Sequence, residues 1–159
     1  MRRILKRLAG ITITLGMLVL VIYLATGPQL PAVTSASANW LEPGPFPVGQ
    51  NEFIFVDGSR PTDDNRGNPG SSNRTFPTTL WYPENTQGSH PLIIHSHGIM
   101  SSRTEMTYIL ENLASHGYII AATDYPLTNG GTPGGANATD VVNQPADVSF
   151  LIDSVITLE

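Results

Sequence analysis

Cysteine is absent from the 159 residues. Disulfides, thiolate zinc sites, a cysteine nucleophile and a lipid-modified cysteine anchor are thereby excluded. Lysine occurs once, at Lys6, and only 13% of the residues are charged against 40% hydrophobic. That balance belongs to a globular chain and not to a disordered one. Its length accommodates one modest domain. Basic charge is also scarce where a partner would meet it. Arg2, Arg3, Lys6 and Arg7 use half of the 8 basic residues, leaving four arginines after Ala38 against all 13 acidic residues, a net of −9. A body of that sign repels phosphate backbones, so nucleic acid is not an expected partner.

What is present begins with MRRILKR, followed by LAGITITLGMLVLVIYLATG without one charge. A basic head before an uninterrupted apolar run is read by the export machinery. Residues 1–38 are therefore expected to be a signal peptide or a membrane anchor. Ala36-Ser37-Ala38 offers cleavage before Asn39, and retention through residues 8–25 is the alternative. The protein is expected to be periplasmic or extracellular, or anchored by this apolar helix. Residues 39–51, rich in Pro and Gly, read as a linker, laid over the domain by Trp40 and Phe46. The domain itself is expected over 52–159.

Within that domain EFIFV (52–56) and TFPTTLWYP (75–83) read as strands, separated by the turn-rich, exposed loop 57–74. PLIIHS and YIIAATD are short apolar runs, as strands buried in a parallel sheet would be. Between them Met106, Ile109, Leu110 and Leu113 recur at helical spacing from Arg103 to Ser115, and Gly117 stops the helix. LTNGGTPGGANAT is a Gly-rich loop. A last helix opens at Pro145 and gathers Val148, Leu151, Ile152 and Val155 on one face. Strand, helix, strand, loop, helix is the alternation of a parallel α/β sheet.

LIIHSHG (92–98) is the stretch that invites chemistry, and three readings of its histidines stand side by side. His95 and His97, two apart on a strand, could share a face and ligate a metal, with His116 or Asp124 as further donors. They could merely cap the strand end. Alternatively, a strand ending in His-Gly and turning into a helix leaves the next backbone N–H unpaired. That donor, on Ile99, would then face negative charge developing on a carbonyl oxygen. His97 and Gly98 are in that case architecture, with Gly98 admitting close backbone approach.

DGSRPT (57–62), RTFPTTLWYP (74–83), PLIIHSHGIMSSRTEMTYILENLASHGYIIAATDYP (91–126) and QPADVSFLIDSV (144–155) together resemble the α/β-hydrolase superfamily. The branch they are most similar to is the dienelactone-hydrolase-like and platelet-activating-factor acetylhydrolase-like esterases. The resemblance runs over roughly residues 53–158 and implies the N-terminal part of an α/β-hydrolase sheet, mostly parallel, with helices on both faces. It implies a serine-type carboxylic-ester hydrolase that needs no metal or organic cofactor, with small-molecule or polymeric esters as substrates. HSHGI falls on the family's oxyanion loop, so Ile99 would supply one donor. Arg103 and Tyr108 would brace the following helix, and Asp124 would be structural.

The family's G-x-S-x-G nucleophile elbow does not occur in the sequence. GIMSS (98–102) lacks the closing glycine and precedes the wrong helix. Nucleophile, acid and base are therefore none of the residues present, and His90, His95, His97 and His116 are not assigned as the base. The 159 residues alone are expected to be inactive and prone to aggregate through unpaired strand edges. Two rivals remain: a non-catalytic exported module that binds through a sheet edge, and a metal-dependent hydrolase using His95 and His97.

Overall fold

The computed structural model describes residues 2–27 and 32–158. The chain divides into two compact units, Met1–Leu41 and Glu42–Glu159. The first holds helix α1 (Arg2–Thr26) and a 3-10 turn, Ala36–Leu41. The large apolar side chains of α1 from Ile13 to Leu24 are exposed, as is Trp40. Among the described residues no helix is long and apolar enough to cross a membrane.

The second unit is built on a four-stranded sheet of order β1-β2-β4-β3. Its strands are β1 (Val48–Asp57), β2 (Arg74–Pro83), β3 (Leu92–Ser96) and β4 (Ile119–Thr123). β1 pairs antiparallel with β2, β2 antiparallel with β4, and only β3 and β4 run parallel. A mostly parallel sheet is thus not what these strands form. The long β1–β2 ribbon puts an antiparallel half beside the single parallel pair.

Helices cover both faces, as the alternation in the strands requires. On one face Trp81, Ile120 and Ala122 pack against Leu110 and Ala114 of α2 (Thr107–Ser115). On the other, Phe76, Leu80 and Ala121 meet Leu151 and Val155 of α3 (Gln144–Ile156). Small residues in β4 let α2 approach it closely. Full burial of a side chain such as Ile120 or Leu151 contributes about 1.5–3 kcal/mol. Phe150 also joins the α3 core through Phe76, with ring centroids 5.4 Å apart, whereas Ile152 stays partly outside.

Several local expectations change for physical reasons. The apolar run PLIIHS suggests burial on both faces, but β3 is an edge strand and Leu92 to His95 are only half-buried. No strand pairs with its outer side among the described residues. α2 starts at Thr107 instead of Arg103, because Asp124 holds Arg103 in the preceding turn. β1 begins at Val48, before EFIFV. Phe46 does lie on the domain, its N–H donating to the Ser115 carbonyl at 3.1 Å.

The loop between β1 and β2 is not simply exposed. Short antiparallel bridges join Thr62 to Ser71 and Asn65 to Asn68. Asn65 is buried, and its Nδ2 donates to the carbonyls of Pro133 and Gly135, both at 2.8 Å. At the base of this loop Arg74, 1% exposed, forms ion pairs with Asp140 at 2.9 Å and with Asp147 at 2.7 Å. Arg60 reaches the same Asp147 at 2.7 Å and also pairs with Asp57. Burial alone would lower the Arg74 pKa, but hydrogen bonds to Asp140 and Asp147 carry it above its usual value. One buried network thus ties the end of β1, the start of β2 and the first turn of α3.

Candidate functional site

The C-terminal ends of parallel strands are where open α/β sheets bind ligands. Here the relevant end is that of β3, where the chain leaves Ser96 for His97, Gly98 and a tight turn. Ser101 N–H donates to the Gly98 carbonyl at 3.0 Å, closing a four-residue turn over Gly98-Ile99-Met100-Ser101. Met100, third in the turn, has φ +65°, the conformation of a type II turn. A non-glycine residue there is strained and persists only when neighbours hold it.

Those neighbours come from the loop after β4. Met100 N–H donates to the Thr128 carbonyl at 2.9 Å, and Gly130 N–H to the Ser101 carbonyl at 2.7 Å. Gly130 fits because it has no side chain: a Cβ there would stand 2.6 Å from the Met100 carbonyl oxygen. The turn is therefore fastened from behind at two points. Its Ile99 N–H makes no hydrogen bond among the described residues, and the Ile99 side chain is exposed. A rigidly held, unpaired backbone donor at a strand end is suited to stabilise an oxyanion.

Gly98 plays a different part from the one its sequence context suggests. It needs no close backbone approach among the described residues, since a Cβ would meet only Glu105 Oε2, at 3.9 Å. Its N–H is taken by Glu105 Oε1 at 3.1 Å. The Ser101 hydroxyl, opposed by partial burial and assisted by Gly98 N–H, holds the Glu105 carboxyl below its usual range. Glu105 thereby closes the turn from the helix side.

His97 is held between two backbone groups. It is buried, its Nε2 accepts from Tyr125 N–H at 3.3 Å, and its Nδ1 lies 2.7 Å from the Gly98 carbonyl oxygen. Acceptance at Nε2 puts the ring proton on Nδ1, donating to Gly98. Tyr125 itself is fully buried, its hydroxyl 2.6 Å from Ser96 Oγ and its pKa raised by burial. With both ring nitrogens bound to backbone, His97 has no lone pair left for a metal. His95 Nε2 lies 3.4 Å from Glu105 Oε1 yet forms no hydrogen bond among the described residues. No group of three His, Cys, Asp or Glu is placed to hold a metal ion among the described residues.

The other histidines are occupied elsewhere: His90 between Thr86 and the Gly117 carbonyl, His116 beside the Glu42 carbonyl. Asp124 accepts from Arg103 N–H at 2.7 Å and from the Arg103 guanidinium, which also reaches Thr79 and Glu52. Burial opposes and Asp124 outweighs it, so the Arg103 pKa is raised. Asp124 and Arg103 are thus mutual braces of the turn into α2. Tyr108 is not a brace: it is 70% exposed, because it lies on the outer side of α2. Sequence reasoning missed Thr128, Gly130 and Glu105, of which only the paired glycines of LTNGG gave any local signal.

Residues 66–127 match the family described as platelet-activating factor acetylhydrolase, isoform II. Among solved structures the chain is similar to a ferulic acid esterase from Streptomyces cinnamoneus. The two are 23% identical with a TM-score of 0.53, over 68% of this chain and 46% of that one. The chain thus spans just under half the length of that esterase, and the likeness shows a shared fold. No curated protein matches the chain. The family match agrees with the resemblance to the platelet-activating-factor-acetylhydrolase-like branch, and the structural likeness agrees with the fold that the resemblance implies.

Proposed function

We propose that this chain is the N-terminal part of an exported serine-type carboxylic-ester hydrolase, to which it contributes an oxyanion donor, the Ile99 N–H. The observation that carries the reading is that free N–H, held in a turn pinned by Thr128 and Gly130. In the reaction a serine outside these residues adds to the ester carbonyl. Negative charge gathers on the carbonyl oxygen, where the Ile99 N–H would meet it. Collapse expels the alcohol and leaves an acyl-enzyme, which water then cleaves. This chemistry calls for no metal or organic cofactor. The esterase branch matched over residues 66–127 supports an ester substrate.

Export rests on the basic head and the uncharged run after it. A specific observation favours a second reading, a non-catalytic exported module: the outer edge of β3 is unpaired among the described residues and could receive a partner's strand. A p-nitrophenyl ester and a serine-reactive phosphonate separate the two. The protein from the gene's whole reading frame is expected to hydrolyse the ester and to be labelled. The 159 residues alone are expected to do neither. Failure of both by the whole protein would favour the module, and phosphonate-sensitive turnover by residues 39–159 would refute the inactive-fragment reading.

A further inference from the structure

The loop between β1 and β2 and the loop after β4 border an open cleft of about 480 Å³, a volume within the usual range for small-molecule sites. Its lining is unusual in kind. Side-chain amides and hydroxyls from Asn68, Ser71, Asn73, Thr75 and Asn129 are interleaved with four prolines, and the exposed lining is more apolar than polar. No Lys, Arg or His lines it, and Leu127 is its single aliphatic residue outside the prolines. An anion would find no cation there, and the apolar surface is that of four prolines and Leu127, broken up by the polar side chains. Of its two carboxylates, Asp124 is paired with Arg103, and Asp63 is exposed and pairs with no cation among the described residues.

The walls are also built in advance. The bridges Thr62–Ser71 and Asn65–Asn68 shape one side, and the Asn65 amide clamps it to the carbonyls of Pro133 and Gly135 on the other. Arg66 Nη1 adds a bond to the Gly134 carbonyl at 2.8 Å. Hydrogen-bonding capacity remains unspent inside. Asn73 Oδ1 accepts from Ser71 and Thr75, but its Nδ2 donates to nothing among the described residues. Asn68 Nδ2 donates to the Asn65 carbonyl while its Oδ1 accepts from nothing among the described residues. A site offering fixed, uncharged donors and acceptors together suits a ligand that also carries both. Hydroxyl groups on a ring do so, and the proline rings present C–H surface to its faces.

We infer that this cleft binds a neutral polyhydroxylated ligand, a sugar ring or a comparable polyol. The cleft adjoins the loop that fastens the Ile99 turn, since Leu127 and Asn129 flank Thr128, but the inference does not depend on the esterase reading. Saturation-transfer NMR on the protein from the whole reading frame tests it, with xylobiose as probe and spermidine and hexanoate as the cationic and acyl controls. Xylobiose is expected to receive saturation and to bind with an affinity indifferent to salt between about 50 and 500 mM. Asn73→Leu should weaken it about tenfold, the effect of losing one or two buried hydrogen bonds. Thr75→Val, at an exposed position, should weaken it less while leaving the melting temperature unchanged. Absence of transfer to xylobiose from protein folded by circular dichroism would overturn the inference. So would xylobiose binding unaffected in both variants, or salt-sensitive binding of spermidine in its place.

Discussion

Gly130 sits against Met100 so closely that a Cβ on Gly130 would stand 2.6 Å from the Met100 carbonyl oxygen. The contact presses the loop after β4 onto the turn that presents Ile99, and it separates two glycines that look alike in sequence. Gly130→Ala must push the turn away and is expected to destabilise the fold by about 1–3 kcal/mol. Gly98→Ala meets open space and should leave stability within about 1 kcal/mol. Turnover of the whole protein should likewise stay within a few-fold of wild type in Gly98→Ala, because the added methyl meets only Glu105 Oε2, at 3.9 Å. Urea midpoints and ester hydrolysis on both variants check this.

Arg74 and Asp147 give the largest expected stability effect. Arg74→Met leaves Asp140 buried without a cation and Asp147 with Arg60 alone, and should cost about 3–5 kcal/mol. Arg74→Lys should recover only part of that, since a single ammonium cannot reproduce the paired N–H bonds to both carboxylates. Denaturant unfolding of the two variants is the measurement.

These two clusters also mark where the sequence was legible. Period-2 and helical patterns located β2, β3, β4 and α3 to within a residue or two, because apolar spacing is a local property of the chain. Gly117 and Pro145 likewise announced a helix end and a helix start. Pairing direction was not local: nothing in LIIHS says that its outer edge lies open, and its apolar run suggests full burial. Ile99 could be singled out because strand, glycine and turn are contiguous. Its supports could not, because Thr128 and Gly130 lie about thirty residues on and reach it through backbone atoms. The same holds for Arg74, whose partners Asp140 and Asp147 are far along the chain.

Acid should weaken the site before it unfolds the core. The Glu105 carboxyl is held below its ordinary value of 4.5 and that of Asp57 below 3.8, the latter chiefly by the Ser59 hydroxyl. A depressed folded pKa adds stability that is present above the unfolded value and is lost as pH falls through the lower folded one. Stability should therefore be flat near neutrality and decline as pH drops below about 4.5. Glu105→Gln should remove part of that decline and leave the Asp57 part, seen in urea midpoints taken across the acid range.

His97 is expected to matter for stability and not for metal. His97→Phe keeps the ring against Tyr125 but strands the Tyr125 N–H, costing about 1–3 kcal/mol. Calorimetric titration with zinc should show the same weak response in wild type and variant. Tight zinc binding that the substitution abolishes would revive the ligand reading of His95 and His97.

The Ile99 N–H itself can be deleted almost in isolation. Ile99 is second in a turn whose third residue has positive φ, a position where proline is common, so Ile99→Pro removes the donor while preserving the turn. The decisive measurement is steady-state hydrolysis of a p-nitrophenyl ester by the whole-frame protein, wild type against Ile99→Pro. Loss of one oxyanion donor should lower kcat about 10²–10³-fold with KM nearly unchanged. An unchanged kcat in a folded variant, or no hydrolysis by the wild type, would contradict the account.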